Sequence, residues 1–141
     1  MKRSASAVWQ GDLKGGRGSL SAPGGVLKDT RYSFAARFQD EPGTNPEELI
    51  AAAHAGCFAM ALSGVLGEAG FTPERLEAKA TVTLEQVGGK WTITHSHLDL
   101  TARIPGIDEA KFREAAEGAK ANCPVSRVLN AKIDLEARLE G

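Results

Sequence analysis

The chain has 141 residues, 42% of them hydrophobic and 25% charged, with a net charge of −1. That length suits one domain, residues 1–141, around one core, and the near-neutral balance excludes the basic surface that nucleic acid or an anionic membrane requires. Two cysteines are too few for a disulfide framework, and the start MKRSASAVWQGD lacks the apolar run of a secretory signal, so a reducing cytoplasm is the expected compartment.

From the N-terminus, ASAVWQG, RGSLSA and YSFAARF read as three strands separated by Gly-rich turns. In the last of these Tyr32, Phe34 and Ala36 alternate with Ser33, Ala35 and Arg37, which predicts a strand with Arg37 directed away from the Phe34 face. The loop EPGTNP leads into a helix that starts with Asn45 as cap, Pro46 at the first helical position and Glu48 completing a capping box. It runs to about Glu68 and stops at AGFTP. Leu49 to Leu66 carries no charge, and 18 residues is about the lower limit for a membrane span. Its Ala and Gly content, His54, Ser63 and the acidic flanks Glu47, Glu48 and Glu68 argue instead for a buried helix. Burying so long a helix in so short a chain is easier when a second copy covers it, so an intimate homodimer is expected.

Two alternating runs then flank Gly88-Gly89 and predict a long β-hairpin, with Trp91, Ile93, His95 and His97 on one face of its second strand. DEAKFREAAEGAKANC is an amphipathic helix with an acidic first turn. CPVSRVLNA restarts a short helix with Pro124 in its first turn, and KIDLEARLE alternates as a last strand with Ile133, Leu135, Ala137 and Leu139 on one face. The order βββ–α–ββ–α–β in one piece is an α+β fold.

The thiols carry the chemistry. Cys57 lies mid-helix and, on its own, reads as a small core hydrophobe. Cys123 lies at the N-terminal edge of a short helix, where the dipole and unpaired N–H groups favour a thiolate. A reactive thiolate and a second thiol could act as a peroxidatic and resolving pair, one becoming a sulfenic acid and the other condensing with it to a disulfide. Spacing alone does not establish this.

The stretches GTNPEELIAAAHAGCFAMALS, LGEAGFTP, PGID and CPVSRVLNA closely resemble the OsmC/Ohr family, and its osmotically inducible OsmC branch in particular. The resemblance extends from VWQGDLKGGRGSL through the last strand. It implies an OsmC-like α+β fold with antiparallel sheets packed around long central helices in an interlocked homodimer. It also implies a cysteine-based peroxidase that reduces organic hydroperoxides, and hydrogen peroxide more weakly. By the same resemblance Cys57 is the peroxidatic cysteine, Cys123 the resolving one, and the reactive thiol is accompanied by an Arg–Glu pair matching Arg37 and Glu47. No metal or bound organic cofactor is implied; recycling would use an external dithiol reductant, lipoyl-type in the hydroperoxide-resistance branch.

Placing the attack at Cys57 rather than Cys123 requires an activator, since the dipole offers little mid-helix. A fixed arginine would stabilise the thiolate over the thiol and then the departing alkoxide. Glu47 would hold the guanidinium through a bidentate contact. Glu47 and Cys57 are ten residues apart on one helix, roughly 80° around it but about 15 Å along it. Either Arg37 spans that gap or Glu47 serves the Cys57 of the other subunit; the second arrangement, a composite site, is expected.

Competing roles attach to several residues. Arg17 is a rival to Arg37, as the hydroperoxide-resistance branch takes its arginine from a similar early turn. His54, one turn before Cys57, could form a Cys–His nucleophile pair, although no carboxylate orienter is evident. His95, His97 and the two cysteines invite a zinc reading, but their spacings fit no common site. A dimeric redox sensor on the same fold, or a hydrolase using Cys57 and His54, remain alternatives to the peroxidase.

Overall fold

Beginning at the N-terminus, β1 (Ser6–Gln10), β2 (Arg17–Ser21) and β3 (Thr30–Tyr32) form an antiparallel sheet in the order β1-β2-β3. The computed structural model describes all of residues 1–141, as two units, Met1–Leu49 and Ile50–Gly141. In the first unit the expected strand over YSFAARF is corrected: β3 ends at Tyr32 and Phe34–Phe38 is a short helix, α1. Ser33 is the reason. Its Oγ accepts the Ala36 N–H at 3.0 Å, an N-cap that starts a helical turn. The apparent alternation of Phe34 and Phe38 is equally an i, i+4 pair, and their rings meet tilted at 44° with centroids 4.8 Å apart.

After α1 the chain turns at Gly43, whose φ of +126° and tight approach to the Arg31 carbonyl leave no room for a side chain. Helix α2 (Pro46–Glu68) then begins as expected, with the Glu48 N–H donating to Asn45 Oδ1 at 2.8 Å. The reciprocal half of the capping box differs: the Glu48 carboxylate accepts from the Thr44 hydroxyl at 2.9 Å. Asn45 also uses its Nδ2 to reach the Ala36 carbonyl, which ties α1 to the start of α2.

In the second unit α2 continues to Glu68, and a left-handed Gly70 lets the Phe71 N–H close the helix on the Leu66 carbonyl. By length and composition alone α2 could cross a membrane. One stripe of it, His54, Phe58, Leu62 and Leu66 at four-residue spacing, is buried. Met60 and Val65 stand exposed on other faces in the single chain. The hairpin is as expected: β4 (Arg75–Val87) and β5 (Lys90–Arg103) pair antiparallel around Gly88-Gly89, both at positive φ. A bulge moves the register so that Thr83 faces His95 while Leu84 faces Ile93, interrupting the alternation expected from Trp91 to His97.

Helix α3 (Glu109–Asn122) is capped by Asp108, whose carboxylate accepts the Lys111 N–H at 2.8 Å. Helix α4 (Pro124–Val128) follows at once, and β6 (Lys132–Glu140) ends the fold. Here the expectation of antiparallel sheets is refined. β6 runs parallel to β5, because the α3–α4 connection crosses over before the chain returns to the sheet, giving the order β4-β5-β6. Phe58, Leu62, Leu66, Leu98, Leu100, Phe112, Ala116 and Cys123 form one core cluster, with Ile133, Leu135 and Leu139 of β6 packed on it. Phe112 is fully buried there, so Phe112→Ala is expected to lose about 3–5 kcal/mol of stability, read as a lower denaturation midpoint at fixed protein concentration.

Candidate functional site

Cys57 sits on α2 beside the buried stripe and is partly exposed, while Cys123 is fully buried as both the C-cap of α3 and the N-cap of α4. Pro124 at the first position of α4 and the Ser126 N–H, which donates to Cys123 Sγ at 3.3 Å, fix that thiol at the helix junction. Cys57 packs against the core cluster that holds Cys123, close enough for the Cys123 thiol and the Val125 backbone N–H to act on it. The separation of 66 positions in sequence is thus closed by packing α2 on the α3–α4 corner.

Burial pushes the Cys57 thiol upward from its ordinary range, and the hydrogen bond and charge of Cys123 push the same way; only the Val125 N–H pulls it down. A thiol in this setting is held protonated unless a cation is brought to it.

His54 does not pair with Cys57. It is fully buried, with Nδ1 2.7 Å from Ser96 Oγ and Nε2 2.7 Å from Ser126 Oγ. Ser126 Oγ in turn lies 3.1 Å from Cys123 Sγ. The imidazole therefore braces β5 against α4 and touches the thiols only through Ser126. Sequence reading missed both serines. The available signals were Ser96 at a core-facing β5 position and Ser126 three residues after Cys123, where an N-cap side chain accepts the backbone N–H.

In the first unit Arg37 and Glu47 are brought together. Arg37 Nε donates to both carboxylate oxygens at 3.1 Å and Nη2 to Oε1 at 2.7 Å. Glu47 is mostly buried, and Arg37 also lies 5.4 Å from the centre of the Phe38 ring. The α1 helix makes this pair: it turns Arg37 toward the first turn of α2, where the Asn45–Ala36 bond holds the two segments in register. Beside the pair is a cleft of about 250 Å³ lined by Trp9, Leu13, Tyr32, Phe34, Phe38 and Pro46. Arg17, the rival arginine, opens β2 opposite Gln10 and lines a separate cleft with Asp29 and Arg31.

The α+β fold thus sets two free thiols close together. Residues 38–138 match the family model described as OsmC-like protein. The chain belongs to the OsmC family. It is 49% identical to Peroxiredoxin OsmC of Escherichia coli (strain K12) over 138 residues, covering 98% of this chain and 96% of the relative. It is 28% identical to organic hydroperoxide resistance protein OhrB of Bacillus subtilis (strain 168) over 129 residues, 90% of this chain and 93% of that one. Among solved structures, an OsmC-like protein of unknown function from Vibrio cholerae superposes with a TM-score of 0.79 at 15% identity, covering 98% of this chain and 99% of that one. That likeness speaks for the fold alone.

Burial lowers the affinity of His54 for a proton. The unfolded chain, with an ordinary histidine near pH 6.5, then binds more protons than the folded one at pH values just below that point, so stability is complete above it and falls as pH drops further. The Cys57 thiol beyond Ser126 and Cys123 has its affinity for a proton raised by burial, so it does not titrate in this acid range. The denaturation midpoint should therefore decline from about pH 6.5 downward, and His54→Asn should flatten that decline while lowering stability at pH 8 by about 1–3 kcal/mol through the serines left unpaired.

Proposed function

We propose that this protein is a thiol peroxidase for organic hydroperoxides, acting through Cys57 and Cys123. The protein is an enzyme of the cysteine-based peroxidase class, and the observation that carries the detailed reading is the contact between the two thiols. The Cys57 thiolate attacks the distal peroxide oxygen; an S–O bond forms, the O–O bond breaks, and the departing alkoxide takes up a proton to leave as an alcohol. Cys123 then attacks the sulfenic sulfur, forming the Cys57–Cys123 disulfide and releasing water. An external dithiol, of lipoyl type, returns both cysteines to thiols. No prosthetic cofactor takes part in any of these steps.

The raised affinity of Cys57 for its proton makes a cation necessary, and the Arg37–Glu47 pair is the one we assign. The bidentate carboxylate holds the guanidinium rigid, so it stabilises both the thiolate and the alkoxide without reorganising. The neighbouring aromatic cleft suits the apolar body of an organic hydroperoxide. Because Glu47 precedes Cys57 by ten residues on α2, about 15 Å along its axis, we assign the pair to the Cys57 of a second copy. The exposed Met60 and Val65 on α2 support such a homodimer, whose interface would cover them.

Peroxide consumption with an aryl hydroperoxide and a lipoyl dithiol tests the chemistry. Cys57→Ser should abolish turnover, and Cys123→Ser should allow one oxidation followed by slow recycling; full turnover by Cys57→Ser overturns the reading. Subunit mixing tests the composite site. Cys57→Ser and Glu47→Gln homodimers should each be impaired, while the mixed dimer regains one intact site because wild-type Glu47 and wild-type Cys57 then come from different chains. If activity does not recover in dimers shown to have exchanged subunits, the pair acts within its own chain.

A further inference from the structure

A second cluster of donors lies on the opposite face of the β4-β5-β6 sheet from the core. Ser96, Leu98 and Leu100 of β5 point into the core, and His95 and His97 point the other way, about one-third exposed. The parallel register sets His97 beside Asp134 of β6. One carboxylate oxygen, Asp134 Oδ1, stands 2.6 Å from His97 Nδ1 and 2.9 Å from His95 Nε2. The first contact is a hydrogen bond. The second is out of alignment and leaves His95 Nε2 a buried nitrogen with no aligned partner. A bare lone pair this near a carboxylate oxygen is repelled by it, so Nε2 carries either a proton or a bound cation.

We propose that His95 Nε2, His97 Nδ1 and Asp134 Oδ1 bind a divalent transition-metal ion of the Zn²⁺ class. The three atoms lie within 4.8 Å of one another. With metal–ligand bonds near 2.1 Å the edge of a tetrahedron is about 3.4 Å, so the 2.6 and 2.9 Å contacts must each open by about 0.5–0.8 Å to admit the ion. Two imidazoles and one carboxylate select zinc, nickel or copper over magnesium or calcium, which prefer all-oxygen shells. A fourth position is left to water, as no further protein donor converges on the three. His97 Nε2 lies 3.9 Å from Glu136 Oε2. Moving the His97 proton to Nε2 frees Nδ1 for the ion and turns an N–H toward Glu136, which can orient the ring once the pair closes from 3.9 Å. Thr81 and Thr83 of β4 pair with His97 and His95 and complete a polar floor. The site is independent of the peroxide chemistry, since its donors share no residue with the cysteine site.

Because thiols also bind zinc, the ion is counted in the full-length Cys57→Ser/Cys123→Ser chain by titration calorimetry with Zn²⁺, with Mg²⁺ as the comparison ion. One Zn²⁺ per chain is expected and no Mg²⁺. His95→Ala, His97→Ala and Asp134→Asn should each weaken binding by at least about tenfold, with unchanged circular dichroism because these side chains lie outside the core. In the unaltered chain, Zn²⁺ should shift the ring signals of His95 and His97 in nuclear magnetic resonance spectra and leave those of His54 in place. Absence of Zn²⁺ binding, or binding that the three substitutions leave unchanged, overturns the proposal.

Discussion

The contact on which the rest of the cysteine-bearing unit depends is the α2 stripe of His54, Phe58, Leu62 and Leu66, buried at four-residue spacing. Phe58, Leu62 and Leu66 join Leu98, Leu100 and Phe112 in one apolar cluster, and His54 adds the hydrogen bonds that join β5 to α4. The helix can rotate little without opening that cluster or orphaning two buried serines. Cys57 follows Gly56 directly before Phe58, so fixing the stripe also fixes the thiol against Cys123.

The same burial creates the chemical problem. Partial burial of Cys57 disfavours the thiolate that the proposed attack requires. The Val125 N–H offsets part of this, and the short α4 helix that carries it has only five residues. A rigid guanidinium is the proposed means of recovering the charge. Arg37 is rigid because Glu47 grips it at two oxygens and because Ser33 has made its segment helical. A cap on a five-residue helix thus fixes the Arg37–Glu47 pair within its own unit.

His54 illustrates how a functional-looking residue is reassigned by its partners. Its spacing from Cys57 is compatible with a nucleophile–base pair, yet both ring nitrogens are taken by serine hydroxyls. It acts on the thiols at one remove, by setting the Ser126 hydroxyl against Cys123 Sγ. His95 and His97 go the other way. Their spacing matched no metal motif, and the missing donor, Asp134, comes from a strand 37 residues downstream of His97 that pairs in parallel.

Local chemistry was legible from the chain itself: the Asn45 cap, the span of α2, the Gly88-Gly89 hairpin, the amphipathic α3 and the alternation of β6 all depend on neighbours a few residues apart. So were both thiols, and the resemblance that paired Arg37 with Glu47. Where two periods coincide, as they do for Phe34 and Phe38, the pattern could not choose between strand and helix, and a single hydroxyl at Ser33 decided it. The parallel return of β6, the contact of Cys57 with Cys123, the serine partners of His54 and the meeting of His95, His97 and Asp134 belong to the tertiary structure alone. Each joins residues 37 or more positions apart, and such contacts follow from how elements pack, for which a linear pattern carries no local signal.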